Sequence, residues 1–173
     1  MVHLPSNQAQ DCYRGMKNWV KLVVSLLLPQ LAAGVGAYFT ITGTGTWYQQ
    51  IQKPAWNPPS WLFAPVWTVL YILMGISFYL VWTSPAPELK KKKAMGVWGL
   101  QLVLNLFWTI IFFNRHQIGW ATIEILMLLV MICATIFAFA FINRLAAWLL
   151  VPYLAWVGFA SYLTYTIWTL NAA

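Results

Sequence analysis

WYQQIQKPAWNPPSWLFAPVW, residues 47–67, holds four of the chain's twelve tryptophans and four of its nine prolines. Pro54, Pro58 and Pro59 fix φ and withdraw backbone donors, so the first part of this run is not the interior of an ordinary helix. It joins two strongly apolar stretches, where a short polar linker would have sufficed. Its stiffness and its indoles point to a lid that binds or covers something beside it.

Outward from this segment the chain is predominantly apolar. Hydrophobic residues make up 61% and charged residues 8%, against about 45–50% and about 25% in soluble domains. That balance indicates an integral membrane protein. Five apolar stretches stand out, at about 20–41, 61–82, 97–113, 119–142 and 146–170. Most reach the roughly 17–25 residues a helix needs to cross about 30 Å of hydrocarbon. They are apolar on both parities, unlike the alternating strands of a β-barrel. The expectation is an all-α membrane protein, a five-transmembrane-helix bundle. A polar tail over 1–18 would precede a single domain over 19–171, with the lid as loop 42–60. A signal peptide is the competing reading of the first stretch, because Arg14, Lys17 and Lys21 precede it. The run is longer than a usual h-region, and no small-residue cleavage site clearly ends it.

Five spans place the connections alternately on two faces. The N-terminus, 83–95 and the Asn143-Arg144 turn share one face; the lid, 114–117 and the C-terminus share the other. The first carries eight cations, Arg14, Lys17, Lys21, Lys90, Lys91, Lys92, Lys93 and Arg144, and the second only Lys53 and Arg115. The positive-inside rule puts the N-terminus inside and the lid outside in a bacterial inner membrane; an organelle outer membrane is the eukaryotic alternative. The net charge of +7 is therefore mostly topological. Lys90–Lys93 flanks a span without an aromatic platform, which favours anionic lipid over nucleic acid. Cys12 and Cys133 are too far apart in setting to suggest a disulfide. His3 and His116 lack the partners of a metal site.

Trp19, Trp61, Trp82, Trp98, Trp120, Trp148 and Trp168 fall near span ends, where indoles settle at the membrane interface. Trp67, Trp108 and Trp156 lie deeper, where each N–H needs a partner or a cavity. Trp67, Tyr71, Met74 and Phe78 share one helical face; Gln101, Asn105, Trp108 and Phe112 share a second; Trp156, Ala160 and Leu163 share a third. Two readings follow. The stripes are interhelical packing with Gln101 and Asn105 hydrogen-bonded, or they enclose an apolar pocket with a few polar anchors. Glu124 is an intramembrane carboxylate, functional by default, or else a hydrated or paired group near the start of its helix. Pro29 and Pro152 should free the carbonyls of Ser25 and Trp148 and loosen the first and fifth helices. Ala33 and Ala37 suggest close helix packing, within one molecule or between two.

Trp47-Tyr48, Lys53-Pro54, Trp56-Asn57-Pro58-Pro59, Trp61, Phe63, Pro65-Val66-Trp67-Thr68, Leu70-Tyr71 and Gly75 together resemble the signature of the tryptophan-rich sensory protein family. This is also called the translocator protein or peripheral-type benzodiazepine receptor family. Gln101, Asn105 and Trp108, then Pro152-Tyr153, Trp156, Phe159-Ala160 and Leu163, extend the resemblance over roughly Val20 to Asn171. It implies a five-helix membrane receptor or sensor, commonly a homodimer, that binds porphyrins such as protoporphyrin IX and haem. A link to tetrapyrrole regulation or stress response is implied, with no obligatory cofactor. Synthetic isoquinoline carboxamides and benzodiazepines would enter the same pocket.

By the same resemblance Asn105, Trp108, Phe112 and Ala160 line that pocket, and Trp47 and Trp56 belong to the loop that closes it. Trp67 and Trp156 match tryptophans implicated in light-dependent porphyrin breakdown. Phe63, Tyr71, Gln101 and Leu163 join them as candidate ligand-binding neighbours. Lys53 and Arg115, the lid-side cations, are candidates for the propionates; ordinary interfacial charges are the other reading. Thr164 stands where the family often has Asn. No cation follows Tyr165 in Thr166-Ile167-Trp168-Thr169-Leu170, so cholesterol binding is not expected. Two alternatives to a receptor remain. One is photochemical degradation of protoporphyrin IX at Trp67 and Trp156, since no acid–base pair or nucleophile is visible. The other is a transporter of porphyrins or other lipophiles, for which neither an inverted repeat nor a charge relay beyond Glu124 is present.

Overall fold

The computed structural model describes residues 17–44 and 47–172, with the side chains of 41–44 excepted. The tail up to residue 16, with His3, Cys12 and Arg14, lies outside the described residues. Helix α1 runs Asn18–Thr44 and the short α2 Trp47–Gln50. Helix α3 runs Ser60–Trp82 and α4 Glu88–Thr109, continued by a π-helical turn over Ile110–Asn114. Helix α5 runs Ile118–Ala140, α6 Arg144–Trp148 and α7 Val151–Asn171. Five helical segments are long and apolar enough to cross a membrane, so the chain is an all-α integral membrane protein.

The sequence places the third span too late. The 83–95 stretch, expected as a loop, is helical from Glu88, leaving only 83–87 to connect α3 and α4. Counting apolar residues excluded the lysines, yet a lysine-bearing turn is still a good helix former. Lys91 is buried there. Its ammonium donates to the carbonyls of Ser84 at 3.2 Å and Trp82 at 3.4 Å and meets the Glu88 carboxylate at 2.6 Å. A cation thereby covers the carbonyl end of α3, where the helix dipole favours positive charge. Trp98, expected at the interface, is only 2% exposed for the same reason. Ten residues into its helix, it packs on Phe78 with ring centroids 4.5 Å apart.

The fifth span differs as well. Pro152 does not bend a continuous helix but sits in the first turn of α7, after a break at Leu149 and Leu150. Proline is preorganised for that position and its missing donor costs nothing there. The Asn143 side chain opens α6 by accepting the Ala146 N–H at 3.1 Å.

Around the bundle the order is α1, α3, α7, α5, α4, closing back on α1. Helix α1 presents Val23, Leu27, Leu31, Val35 and Tyr38 outward, while Ser25 and Pro29 are buried. The tightest seam is between α1 and α3. A Cβ on Gly75 would stand 2.8 Å from the Ser25 carbonyl oxygen and 3.0 Å from the Leu26 Cα. That carbonyl is the one whose intrahelical donor Pro29 removes. Glycine on one helix and proline on the other therefore bring two backbones into direct contact.

Gly75→Ala is expected to lower stability by about 1–3 kcal/mol, as overpacking against backbone does. Gly158→Ala, which meets nothing within 4 Å, should leave the unfolding temperature in detergent unchanged or raise it. Thermal unfolding of both variants checks the contrast.

Candidate functional site

Between the core on the Lys91 side and a smaller cluster beneath α2, the bundle holds a partly open cavity of about 640 Å³. All five spans contribute. Helix α3 supplies Phe63, Trp67 and Tyr71; α4 and the π turn supply Asn105, Trp108 and Phe112; α7 supplies Trp156, Ala160 and Leu163. These nine sequence-predicted residues are thus brought to one wall-to-wall space. Their rings fix one another: Trp67 stacks on Tyr71 at 5.2 Å, Trp108 on Phe112 at 5.1 Å, and Phe63 meets Trp156 edge-on at 5.9 Å.

Three other predicted ligand residues lie off the cavity wall. Trp56 is 43% exposed and stacks on Tyr162 at 5.2 Å, on the outer side of α7. Trp47 stacks on the His116 ring at 4.1 Å and leans edge-on against Phe112, so it backs the wall without reaching the space. Gln101 is buried one turn beyond Asn105 on α4. Neither lid-side cation lines the cavity. Arg115 is exposed, and the Lys53 ammonium donates to the Tyr48 carbonyl while lying 4.6 Å from that residue's ring centre.

The polar residues form a directed chain. The Tyr71 hydroxyl donates to Asn105 Oδ1 at 2.8 Å, Asn105 Nδ2 donates to the Tyr153 hydroxyl at 3.2 Å, and Tyr153 donates to Gln101 Oε1 at 2.9 Å. Two amides on one helix are thereby tied to tyrosines on α3 and α7. Both sequence readings of the α4 stripe hold at once: Gln101 and Asn105 pack helices together, while Asn105, Trp108 and Phe112 face a cavity. Buried atoms without a hydrogen-bond partner among the described residues include Trp108 Nε1, Trp98 Nε1, Gln101 Nε2 and both Glu124 carboxylate oxygens.

Several wall residues escape sequence reasoning. Helix α1 contributes Gln30, Ala33, Gly36 and Ala37, a stripe at helical spacing that opens room beside the aromatics. Ala33, half-buried, and Ala37, exposed, both line this cavity. Phe113 also lines the space, because the π turn, marked by the Arg115 N–H bonding Ile110 at 2.9 Å, turns consecutive rings inward. His116 follows with φ of 56°, a left-handed residue that reverses the chain into α5.

Tyr48 and Gln49 bring the lid to the cavity rim. Burial pushes the Tyr48 hydroxyl above its ordinary value, partly offset by a hydrogen bond with Asn57, so the rim carries a neutral phenol. The lid is latched at its far end. Asn171 at the end of α7 accepts the Gln52 N–H and donates to the Gln52 carbonyl, both at 2.9 Å.

An integral membrane protein with an aromatic-walled cavity inside a five-helix bundle is the class these features define. The chain belongs to the TspO/MBR family, whose model matches residues 25–169. It is 41% identical over 155 residues to the translocator protein of Homo sapiens and 40% identical over 154 residues to that of Bos taurus. Each match covers 88% of this chain and 91% of the relative. It is also 41% identical over 142 residues to the tryptophan-rich protein TspO of Chlorobaculum tepidum, covering 82% of this chain and 90% of that one.

Asn171→Ala removes both bonds to Gln52 and should speed amide exchange at Gln52 about tenfold, one to two net hydrogen bonds' worth. Hydrogen–deuterium exchange of the protein in micelles reads this directly. Tyr153→Phe leaves Asn105 and Gln101 each short of a partner, and a loss of about 1–3 kcal/mol in unfolding free energy is expected.

Proposed function

We propose that this protein is a membrane receptor or sensor that binds protoporphyrin IX or haem in the interhelical cavity. The observation that carries the reading is the convergence of Trp67, Trp108 and Trp156 on one interhelical cavity. A porphyrin is a wide apolar plane that stacks on aromatic faces, and the cavity falls within the roughly 300–1,000 Å³ of small-molecule sites. Lys53, held against Tyr48 at the rim, is better placed than Arg115 to meet a propionate at the wet edge. The lid faces outward from a bacterial inner membrane with the N-terminus inside, and two copies pair as a homodimer. Membership in a family that includes tryptophan-rich TspO proteins supports a tetrapyrrole-related role.

Trp67 and Trp156 also support a second reading, photochemical breakdown of the bound porphyrin, because both indoles belong to the cavity wall. Protoporphyrin IX is expected to quench tryptophan fluorescence with micromolar-order affinity, and the Trp67→Ala, Trp156→Ala double variant to lose most of that quenching. Equal quenching in the two proteins would remove the assigned site. Aerobic illumination of the complex, followed at the Soret band, separates the two readings. Loss no faster than in empty micelles leaves a receptor alone.

A further inference from the structure

The seam between α1 and α3 is closed at one end and open at the other. On α1 the residues Ser25, Pro29, Ala33 and Ala37 follow one another at helical spacing along one face, and on α3 so do Gly75, Thr68, Ala64 and Ser60. Where Gly75 meets Ser25 the two backbones touch. Toward the lid burial falls away on both helices. Ser25 and Pro29 are buried, Ala33 is half-buried and Ala37 exposed; Gly75 is buried, while Thr68, Ala64 and Ser60 are exposed. In its lid half α1 lies against α4 instead, for a Cβ on Gly36 would meet the Thr109 side chain at 3.7 Å.

All four of those exposed residues line the cavity. Among the described lining residues only Gln49, on the lid, is exposed besides them; α4, the π turn, α5 and α7 contribute buried or half-buried ones alone. The cavity therefore opens through this seam. The end of the bundle is covered, since Tyr48 packs edge-on against Phe112 and Phe113 and Asn171 holds the Gln52 backbone. Thr68 stands eight residues into α3, about 12 Å along a span that crosses about 30 Å of hydrocarbon. The opening thus reaches well below the interface. Its border suits lipid: Ala37 and Ala64 are apolar, and the Thr68 hydroxyl already donates to the Ala64 carbonyl at 2.8 Å.

We propose that the cavity is loaded sideways from the bilayer, through the gap between α1 and α3 bordered by Ala37, Ala64 and Thr68. The ligands it admits are then flat lipophiles dissolved in the lid-side leaflet, and the lid need not open for them. Small side chains at the gap let a wide ring pass where larger ones would close the seam. The inference rests on reading the cavity as the ligand site.

A reversible plug tests this. Ala64→Cys is made together with Cys12→Ser and Cys133→Ser, placed in lipid nanodiscs and treated with benzyl methanethiosulfonate, a lipophilic thiol reagent. Protoporphyrin IX is the probe: stopped-flow tryptophan quenching gives its association rate, and a chase with excess empty vesicles its dissociation rate. A plug in the entrance raises one barrier crossed in both directions. Both rates should fall together by about tenfold with Kd kept within about twofold, and reduction of the mixed disulfide should restore them. Asn171→Ala, which unlatches the lid, should leave both rates unchanged. A thiol that the reagent does not reach, rates unaffected by the plug, a Kd change carried by dissociation alone, or faster association in Asn171→Ala overturns the sideways route. Porphyrin that does not bind the unplugged protein at all overturns the proposed function, and this inference with it.

Discussion

Inside a membrane a polar side chain finds its partner within the protein, on its own helix or on another, or goes without one, and the bundle is organised around that constraint. The chain of bonds from Tyr71 through Asn105 and Tyr153 to Gln101 links α3, α4 and α7 at one level. Without a hydrophobic drive between helices in lipid, such directional bonds and close backbone contacts set which faces meet. The Gly75 approach to the Ser25 carbonyl serves the second purpose, holding α1 on α3. Once these two features fix the helices, the larger side chains on the lid side have too little neighbouring bulk to close the space. Ala33, Gly36, Ala37 and Ala160 are where the cavity opens.

The cavity's chemistry follows from the same economy. Most hydroxyls along its wall bond their own helix, and the amide of Asn105 bonds two tyrosines, so the surface left to a ligand is mainly ring faces and methyl groups. What remains polar is sparse and positioned. Trp108 is held by consecutive phenylalanines that the π turn rotates inward, so a local departure from α-helical hydrogen bonding sets the orientation of an indole. The lid closes the end of the bundle through two dissimilar attachments. Trp47 lies against His116 and Phe112, while the Gln52 backbone is held by Asn171.

Much of the site was legible before any coordinates. Residues three and four apart on a helix share a face whatever the tertiary fold, so Trp67 with Tyr71, Asn105 with Trp108 and Phe112, and Trp156 with Ala160 and Leu163 could be grouped from spacing. What spacing leaves open is how far each face is turned from the bundle axis. Gln101 shares the α4 stripe with Asn105, yet Tyr153 takes it out of the cavity. Trp56 is as much a signature residue as Trp67, but the prolines around it carry the loop over the outside of α7. The contribution of α1 was the least readable, because small residues mark close packing and open space equally well.

Composition and run length determined that this chain is a five-helix membrane protein, because hydrocarbon admits no unpaired backbone and an apolar segment of such length has only the helix available to it. Motif spacing determined most of the aromatic wall. Only the tertiary structure decided that the third span begins among its lysines, where Lys91 finds the carbonyls ending a different helix. It also decided that Trp98 is core while Trp108 is cavity wall, although both are indoles on one face of α4. The physical reason is the same in each case: partners contributed by other helices select among local conformations and exposures that the segment's own residues leave nearly equal.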